Sequence, residues 1–167
     1  MRILYIHGLE SVEPLSLEKR TVLEAYGTVV APQFDYFNEP NHFNKLLLQY
    51  IPEDFDVLIG SSMGGYMAYY LSLIWNKPCL VFNPALPGRP VVQHMPEQIP
   101  TERKSLIQIV LGAQDNVVDP AYNLVYLSKH IKENDVLRIH IRNGMEHRVS
   151  VAVLKEEMAL FTTILNQ

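Results

Sequence analysis

The sequence has 167 residues, of which 48% are hydrophobic and 19% are charged, and this composition excludes a disordered or fibrous chain. Fourteen Lys and Arg residues against 18 Asp and Glu residues give a formal net charge of −4, which disfavours nucleic acid as a partner. The length suits a single domain, residues 1–167.

Six short runs of mostly apolar residues predict β-strands. They are Arg2–His7, Thr28–Ala31, Asp56–Gly60, Cys79–Asn83, Leu106–Gly112 and Val136–Ile141. Most of these runs are continuously apolar rather than alternating, which is typical of strands covered on both faces of a parallel sheet. We expect the second strand at one edge of the sheet, followed by strands one, three, four, five and six.

Five stretches with helical apolar spacing lie between these strands. They are Leu15–Tyr26, His42–Tyr50, Ser62–Trp75, Ala121–Ile131 and Val149–Leu165. The fourth follows Asp119-Pro120, which is typical of an N-cap residue with proline at the first helical position. Strands that alternate with helices predict an α/β architecture with right-handed crossovers.

The stretch from residue 84 to residue 105 departs from this alternation. Its 22 residues hold five prolines, which exclude one long helix. A parallel crossover already uses about 10–12 residues. The rest predicts a short proline-rich flap, residues 84–105, and no separate lid domain.

The segment Gly60-Ser61-Ser62-Met63-Gly64 has the pattern Gly-x-Ser-x-Gly between a predicted strand and a predicted helix. In that setting a sharp, strained turn projects the Ser62 hydroxyl above the sheet as a nucleophile. Side chains at Gly60 or Gly64 would collide where the strand and the helix approach each other. Ser61 is the competing hydroxyl, but it falls at a variable position of the motif and is interpreted as a packing residue.

A serine hydroxyl needs a general base, and histidine is the side chain best suited to that task near neutral pH. His147 follows the last predicted strand and is therefore expected at the same edge of the sheet as Ser62. Asp115, after the fifth strand, is predicted to orient the imidazole. Asp119 is the alternative acid, although it also has the pattern of a helix cap.

An oxyanion that forms during acyl transfer needs two positioned hydrogen-bond donors. The backbone N–H of Met63, next to Ser62, is one candidate. The backbone N–H of Leu9, in the loop after the first strand, is the other. His7 in that loop is interpreted as a residue that fixes the loop by hydrogen bonding rather than as a base.

In their order along the chain, these motifs resemble those of the small α/β-hydrolases. The segments are Tyr5-Ile6-His7-Gly8, Gly60-Ser61-Ser62-Met63-Gly64-Gly65, Phe82-Asn83-Pro84-Ala85, Gly112-Ala113-Gln114-Asp115 and Gly144-Met145-Glu146-His147. More narrowly, residues 1–147 are similar to the short bacterial YqiA-like esterases.

The resemblance implies a three-layer α/β-hydrolase fold in a reduced form, with about six mostly parallel strands. It also implies esterase activity on short acyl esters without a metal or an organic cofactor. By the same resemblance Ser62, Asp115 and His147 are nucleophile, acid and base, which is their order along α/β-hydrolase chains.

Two classes of function therefore stay open at the level of the sequence. The first is a serine hydrolase that cleaves small or short-acyl carboxylic esters through an acyl-enzyme on Ser62, with thioesters and amides as other substrates of the same groups. The second is a non-catalytic α/β binding module. Phe34, Tyr36 and Phe37, after the second strand, either line a substrate pocket or cover the core.

Location and partners follow from composition. The one cysteine, Cys79, can form no disulfide within the chain, which favours a reducing cytoplasm. The longest apolar run, Tyr66–Trp75, falls short of the roughly 20 residues that a membrane helix needs. The expected partner is a small-molecule ester, with neither nucleic acid nor a membrane.

Overall fold

The computed structural model describes residues 1–9 and 11–166 of the chain. Six strands form one sheet in the order β2-β1-β3-β4-β5-β6, and every neighbouring pair is parallel. The strands are β1 (Arg2–Ile6), β2 (Thr28–Val30), β3 (Val57–Ser61), β4 (Cys79–Phe82), β5 (Ile107–Gly112) and β6 (Leu137–Arg142). The six predicted strands and their order are confirmed, with strand ends that differ by one residue.

Five helices cover the two faces of the sheet. They are α1 (Leu17–Glu24), α2 (His42–Gln49), α3 (Met63–Trp75), α4 (Pro120–Ser128) and α5 (Val151–Leu165). Buried side chains of α1 and α5 pack on one face of the sheet, and those of α2, α3 and α4 pack on the other. The molecule therefore has three layers, with one parallel sheet between two layers of helices, as the sequence predicts.

The helices form where their predicted signals lie, and their ends differ from the prediction by up to three residues. Helix α4 begins at Pro120, and the Asp119 Oδ1 atom accepts a hydrogen bond of 2.8 Å from the Ala121 N–H. Ser150 caps α5 in the same way, through a 3.2 Å bond from the Val153 N–H. Across residues 1–9 and 11–166, no helix has the length and apolar character to cross a membrane.

The flap, residues 84–105, contains neither helix nor strand. At its beginning the Ala85 N–H donates a 3.1 Å hydrogen bond to the carbonyl oxygen of Ser62. Near its middle the buried Gln93 side chain accepts a 3.3 Å bond from the Phe43 N–H at the beginning of α2. These contacts hold the flap against the helical layer that contains α2 and α3.

A buried ion pair holds the far end of the flap. Arg103 pairs with Asp135, and both side chains are 2% exposed. Arg103 also donates to the Tyr69 hydroxyl and, over 2.7 Å, to the carbonyl oxygen of His130. The pair connects the flap to the segment between α4 and β6. Removal of one partner would leave the other as a buried charge without compensation, which would destabilise the fold.

Candidate active site

Ser62 lies in the turn between β3 and α3, at the carboxyl edge of the sheet. Its φ of 55° is in the left-handed region, which costs a non-glycine residue about 1–3 kcal/mol. The Ser62 N–H donates to the carbonyl oxygen of Phe82 at 2.9 Å, and the Ser62 carbonyl accepts from the Tyr66 and Ala85 N–H groups at 3.0 and 3.1 Å. These three hydrogen bonds hold the strained turn in place.

The two motif glycines lie where backbone segments almost touch. A Cβ on Gly60 would collide with the backbone of Gly64, and a Cβ on Gly64 would collide with the carbonyl oxygens of Ile6 and His7. Hydrogen is therefore the only substituent that lets α3 begin directly above the ends of β1 and β3. Ser61, the competing hydroxyl, is the last residue of β3 and pairs with Phe82 of β4.

The structure brings together the three side chains that the sequence singles out. His147 Nε2 lies 3.0 Å from Ser62 Oγ, and His147 Nδ1 lies 2.8 Å from Asp115 Oδ2. The Asp115 side chain is fully buried, and that of His147 is 22% exposed. The imidazole thus connects a buried carboxylate with a half-buried hydroxyl, an arrangement that can remove a proton from the hydroxyl.

Asp115 is oriented by its own loop. Its Oδ1 atom accepts hydrogen bonds of 2.8 and 2.9 Å from the N–H groups of Val117 and Val118, which leaves Oδ2 for His147. The alternative acid, Asp119, uses its carboxylate to cap α4. Of the two candidates, the geometry therefore favours Asp115 for contact with the imidazole.

Asn83 is a residue of this site to which the sequence patterns assign no role. Its φ of 44° is in the left-handed region, and it is 1% exposed. Its Nδ2 donates to the carbonyl oxygens of Glu146 and His147 at 2.9 and 3.0 Å, and its Oδ1 accepts from the Gly112 N–H at 2.7 Å. Asn83 therefore connects the end of β4 to the loop that carries His147. In the sequence Asn83 ends the predicted strand Cys79–Asn83 and lies in the family-like segment Phe82-Asn83-Pro84-Ala85, and neither pattern indicates these contacts.

Of the two predicted oxyanion donors, Met63 directly follows Ser62, and Leu9 lies in the loop after β1. Met63 is the first residue of α3, so its N–H has no acceptor within the helix. Gly8 is so close to the nucleophile that a Cβ on it would be 3.3 Å from the Ser62 Cβ, and Leu9 follows it directly. The roles of the Met63 and Leu9 N–H groups stay predictions.

His7 holds the loop that leads to Leu9. Its Nε2 accepts a 2.9 Å hydrogen bond from the Phe34 N–H, and its Nδ1 lies 2.7 Å from the carbonyl oxygen of Gly8. These partners require a neutral ring with the proton on Nδ1. Burial lowers the pKa of His7, which also favours the neutral form.

The aromatic side chains after β2 surround His7 instead of lining an open pocket. Phe34 and Tyr36 are buried, their rings lie 5.3 and 5.5 Å from the His7 ring, and the Tyr36 hydroxyl donates to the His7 carbonyl at 2.8 Å. The prediction that these two line a substrate pocket is therefore replaced by the alternative that they cover the core. Phe37 is exposed, and its part in a pocket stays a prediction.

The neutral, buried ring of His7 predicts how the stability of the protein depends on pH. Its lowered pKa means that the unfolded chain takes up a proton below about pH 6.5, before the native ring does. The free energy of unfolding should therefore fall as the pH drops below that value, by up to about 1.4 kcal/mol per pH unit. Urea unfolding at pH 5 and 7 should show a smaller loss for His7→Gln than for the wild type. His94→Gln, at an exposed histidine, should keep the wild-type loss, and equal losses in all three proteins would contradict the role of His7.

The remaining histidines make local contacts away from the nucleophile. Their partners are Asp35 N–H for His42, Asn41 Oδ1 for His94, Tyr126 O for His130 and the buried Glu157 for His140. In the part of the chain that the structure describes, no group of three or more His, Cys, Asp or Glu side chains could hold a metal ion.

Comparisons with known proteins agree with this architecture. The chain matches an uncharacterised protein family, UPF0227, over residues 2–102. No curated protein matches the chain in sequence. Among solved structures, a Xanthomonas campestris pv. campestris protein assigned to the α/β superfamily of hydrolases has a TM-score of 0.68 and 20% identity, covering 99% of this chain and 98% of its own.

Two further structures are similar over nearly the whole chain. Alpha/beta hydrolase domain-containing protein 10 from mouse has a TM-score of 0.67 and 13% identity, covering 99% of this chain and 89% of its own. A Bacillus cereus carboxylesterase has a TM-score of 0.61 and 14% identity, covering 96% and 87%. These likenesses establish the fold, and the resemblance predicted from the sequence is confirmed.

Proposed function

Because this chain belongs to the uncharacterised protein family UPF0227 and has the α/β-hydrolase fold, we propose that it is a serine hydrolase that cleaves small or short-acyl carboxylic esters. The observation that carries the proposal is the hydrogen-bonded line from Ser62 Oγ through His147 to Asp115. The names of the similar structures, which include a carboxylesterase and an α/β hydrolase, support the same reaction class.

The proposed reaction begins at the Ser62 hydroxyl. His147 Nε2 takes its proton while Oγ attacks the acyl carbon, and Asp115 stabilises the imidazolium that forms. The Met63 and Leu9 N–H groups donate to the oxyanion. Collapse of the tetrahedral intermediate returns the proton from His147 to the leaving alcohol and leaves an acyl group on Ser62.

Water completes the proposed cycle. His147 removes a proton from a water molecule, which attacks the acyl-enzyme, and then returns the proton to Ser62 Oγ as the acid product leaves. Every proton in this sequence moves between protein groups, substrate and water, so the proposed reaction needs no metal or organic cofactor. Thioesters and amides would react through the same steps.

Labelling with a fluorophosphonate probe tests the proposed nucleophile. We expect the wild type to react covalently at Ser62, because the probe requires a serine hydroxyl that a base activates. Ser62→Ala should abolish labelling, whereas Ser61→Ala should keep it, because the hydroxyl in contact with His147 Nε2 is that of Ser62. An unlabelled wild type, or a label that persists in Ser62→Ala, would refute the proposal and favour a binding module.

We also propose that the protein acts in the cytoplasm. The only cysteine, Cys79, is buried in β4, and burial raises the pKa of its thiol. A single thiol that is buried and protonated suits a reducing compartment and has no disulfide partner within the chain.

A further inference from the structure

An apolar groove of about 540 Å³ lies between the flap and α4. The flap forms one wall, the residues after Asp115 form the second, and α4 forms the third. The apolar side chains that line it are Pro87, Val117, Val118, Tyr122, Val125 and Tyr126. Its volume falls within the range of about 300–1,000 Å³ that is usual for small-molecule sites.

The apolar surface of this groove has no partner within the part of the chain that is described. Val117, Tyr122 and Val125 are 67%, 66% and 51% exposed. Exposed apolar residues that cluster in one concave surface, rather than scattered singly, indicate a binding site.

Two of the three walls are connected directly to the proposed catalytic groups. The N–H of Ala85, the second residue of the flap, donates to the carbonyl oxygen of Ser62. The N–H groups of Val117 and Val118 donate to Asp115. The imidazole of His147 lies between Asp115 and Ser62. Both of these groove walls are therefore anchored on residues of the candidate active site.

The groove and the helix that follows His147 lie in different layers of the fold. The leaving oxygen must lie next to His147 Nε2, and His147 precedes α5 on one face of the sheet. Helices α3 and α4 lie on the opposite face. Since the acyl chain leaves the reacting carbon away from the alcohol, the groove beside α4 is the candidate site for the acyl chain.

We propose that this groove binds the apolar acyl chain of the substrate, and that it extends the accepted substrates to acyl groups of medium length. This inference rests on the proposed esterase function. The groove follows α4, whose nine residues are about 13 Å long, and it ends at the polar side chains of Lys129 and His130. An acyl chain that fills the apolar part gains affinity, and a longer chain gains no more.

Esters of p-nitrophenol with increasing acyl length test the groove. For the wild type we expect kcat/KM to rise by about fourfold for each added methylene beyond acetate, and then to level off when the groove is full. Gly88→Trp should remove that rise. Its kcat/KM should be lower than that of the wild type by about tenfold or more for the hexanoate ester and within about twofold of the wild type for the acetate ester. A Cβ on Gly88 meets no atom within 4 Å, so the new side chain can enter the groove without displacing backbone.

Two further variants make this result specific. Val125→Trp fills the groove from α4 and should have the same effect, which covers the case in which the flap variant is unstable. Leu48→Trp adds the same side chain on α2, at a position that is 88% exposed and outside the groove, and should keep the wild-type chain-length profile. Equal chain-length profiles in all four proteins would overturn the inference.

A second series separates the acyl group from the alcohol. For acetate esters of alcohols of increasing length, the ratio of kcat/KM in Gly88→Trp to kcat/KM in the wild type should not fall as the alcohol becomes longer. A loss in that series alone would assign the groove to the leaving group and overturn the acyl assignment. A wild type that does not hydrolyse even p-nitrophenyl acetate faster than Ser62→Ala would instead refute the proposed function and this inference with it.

Discussion

Replacement of Asp115 by asparagine is expected to lower kcat for p-nitrophenyl acetate by about 10⁴-fold. The side-chain carbonyl of the introduced asparagine can still accept from the Val117 and Val118 N–H groups, so its amide NH₂ must face His147 Nδ1. That contact requires Nδ1 to be an acceptor, which moves the imidazole proton to Nε2. A protonated Nε2 cannot take the proton of Ser62, although the geometry of the site is kept.

Asp119→Asn is the matched control for this substitution. Asparagine is as good an N-cap as aspartate, so α4 should keep its beginning and kcat for acetate should stay within about twofold of the wild type. Circular dichroism should show that both variants are folded. A large loss in Asp119→Asn, with little change in Asp115→Asn, would reverse the assignment of the acid.

Asn83→Ala is expected to lower both stability and kcat. It leaves the buried Gly112 N–H without its acceptor, and each such unsatisfied group costs about 1–3 kcal/mol. It also frees the carbonyl groups of Glu146 and His147, so the imidazole can move away from Ser62. A displacement of about 1 Å costs up to about 10²-fold in rate, which sets the expected loss of kcat.

Gln93→Ala separates positioning from stability. Gln93 is also a buried amide, and it holds the flap through the Phe43 N–H without contact to the proposed catalytic groups. Gln93→Ala and Asn83→Ala should both lower the free energy of unfolding in urea. At a temperature where both variants are folded, only Asn83→Ala should lower kcat for p-nitrophenyl acetate. Asn83→Asp keeps an acceptor for Gly112 and loses the donor, so it should also lower kcat. Equal values of kcat in Asn83→Ala and Gln93→Ala would contradict a positioning role.

Much of this architecture is predictable from local patterns. Strands such as Val57–Ser61 and Cys79–Phe82 are apolar at almost every position because both faces of the sheet are covered, and that pattern is visible in the sequence. Once the strands are parallel, their carboxyl ends must meet at one edge. The residues after them, including Ser62, Asp115 and His147, are then expected at that edge without knowledge of any contact.

The rest depends on irregular backbone and on contacts that are distant in sequence. The role of Asn83 arises from a left-handed φ and from partners 63 and 64 residues away, and no periodic pattern reports either one. Phe34 and Tyr36 are equally suited to a pocket and to a core, and the deciding contact is with His7, 27 and 29 residues earlier. The groove requires the flap to lie beside α4, and the spacing of its prolines does not determine where it lies.

The anchoring of the flap has a consequence for the kinetics of the proposed enzyme. The backbone of residues 84–105 is held at Ala85, at Gln93 and, by a buried ion pair, at Arg103. A segment fixed at its beginning, middle and end does not swing open and shut as a mobile gate does. Substrate entry and product escape should therefore occur by diffusion through a permanently open mouth, and turnover should be set by acyl transfer itself.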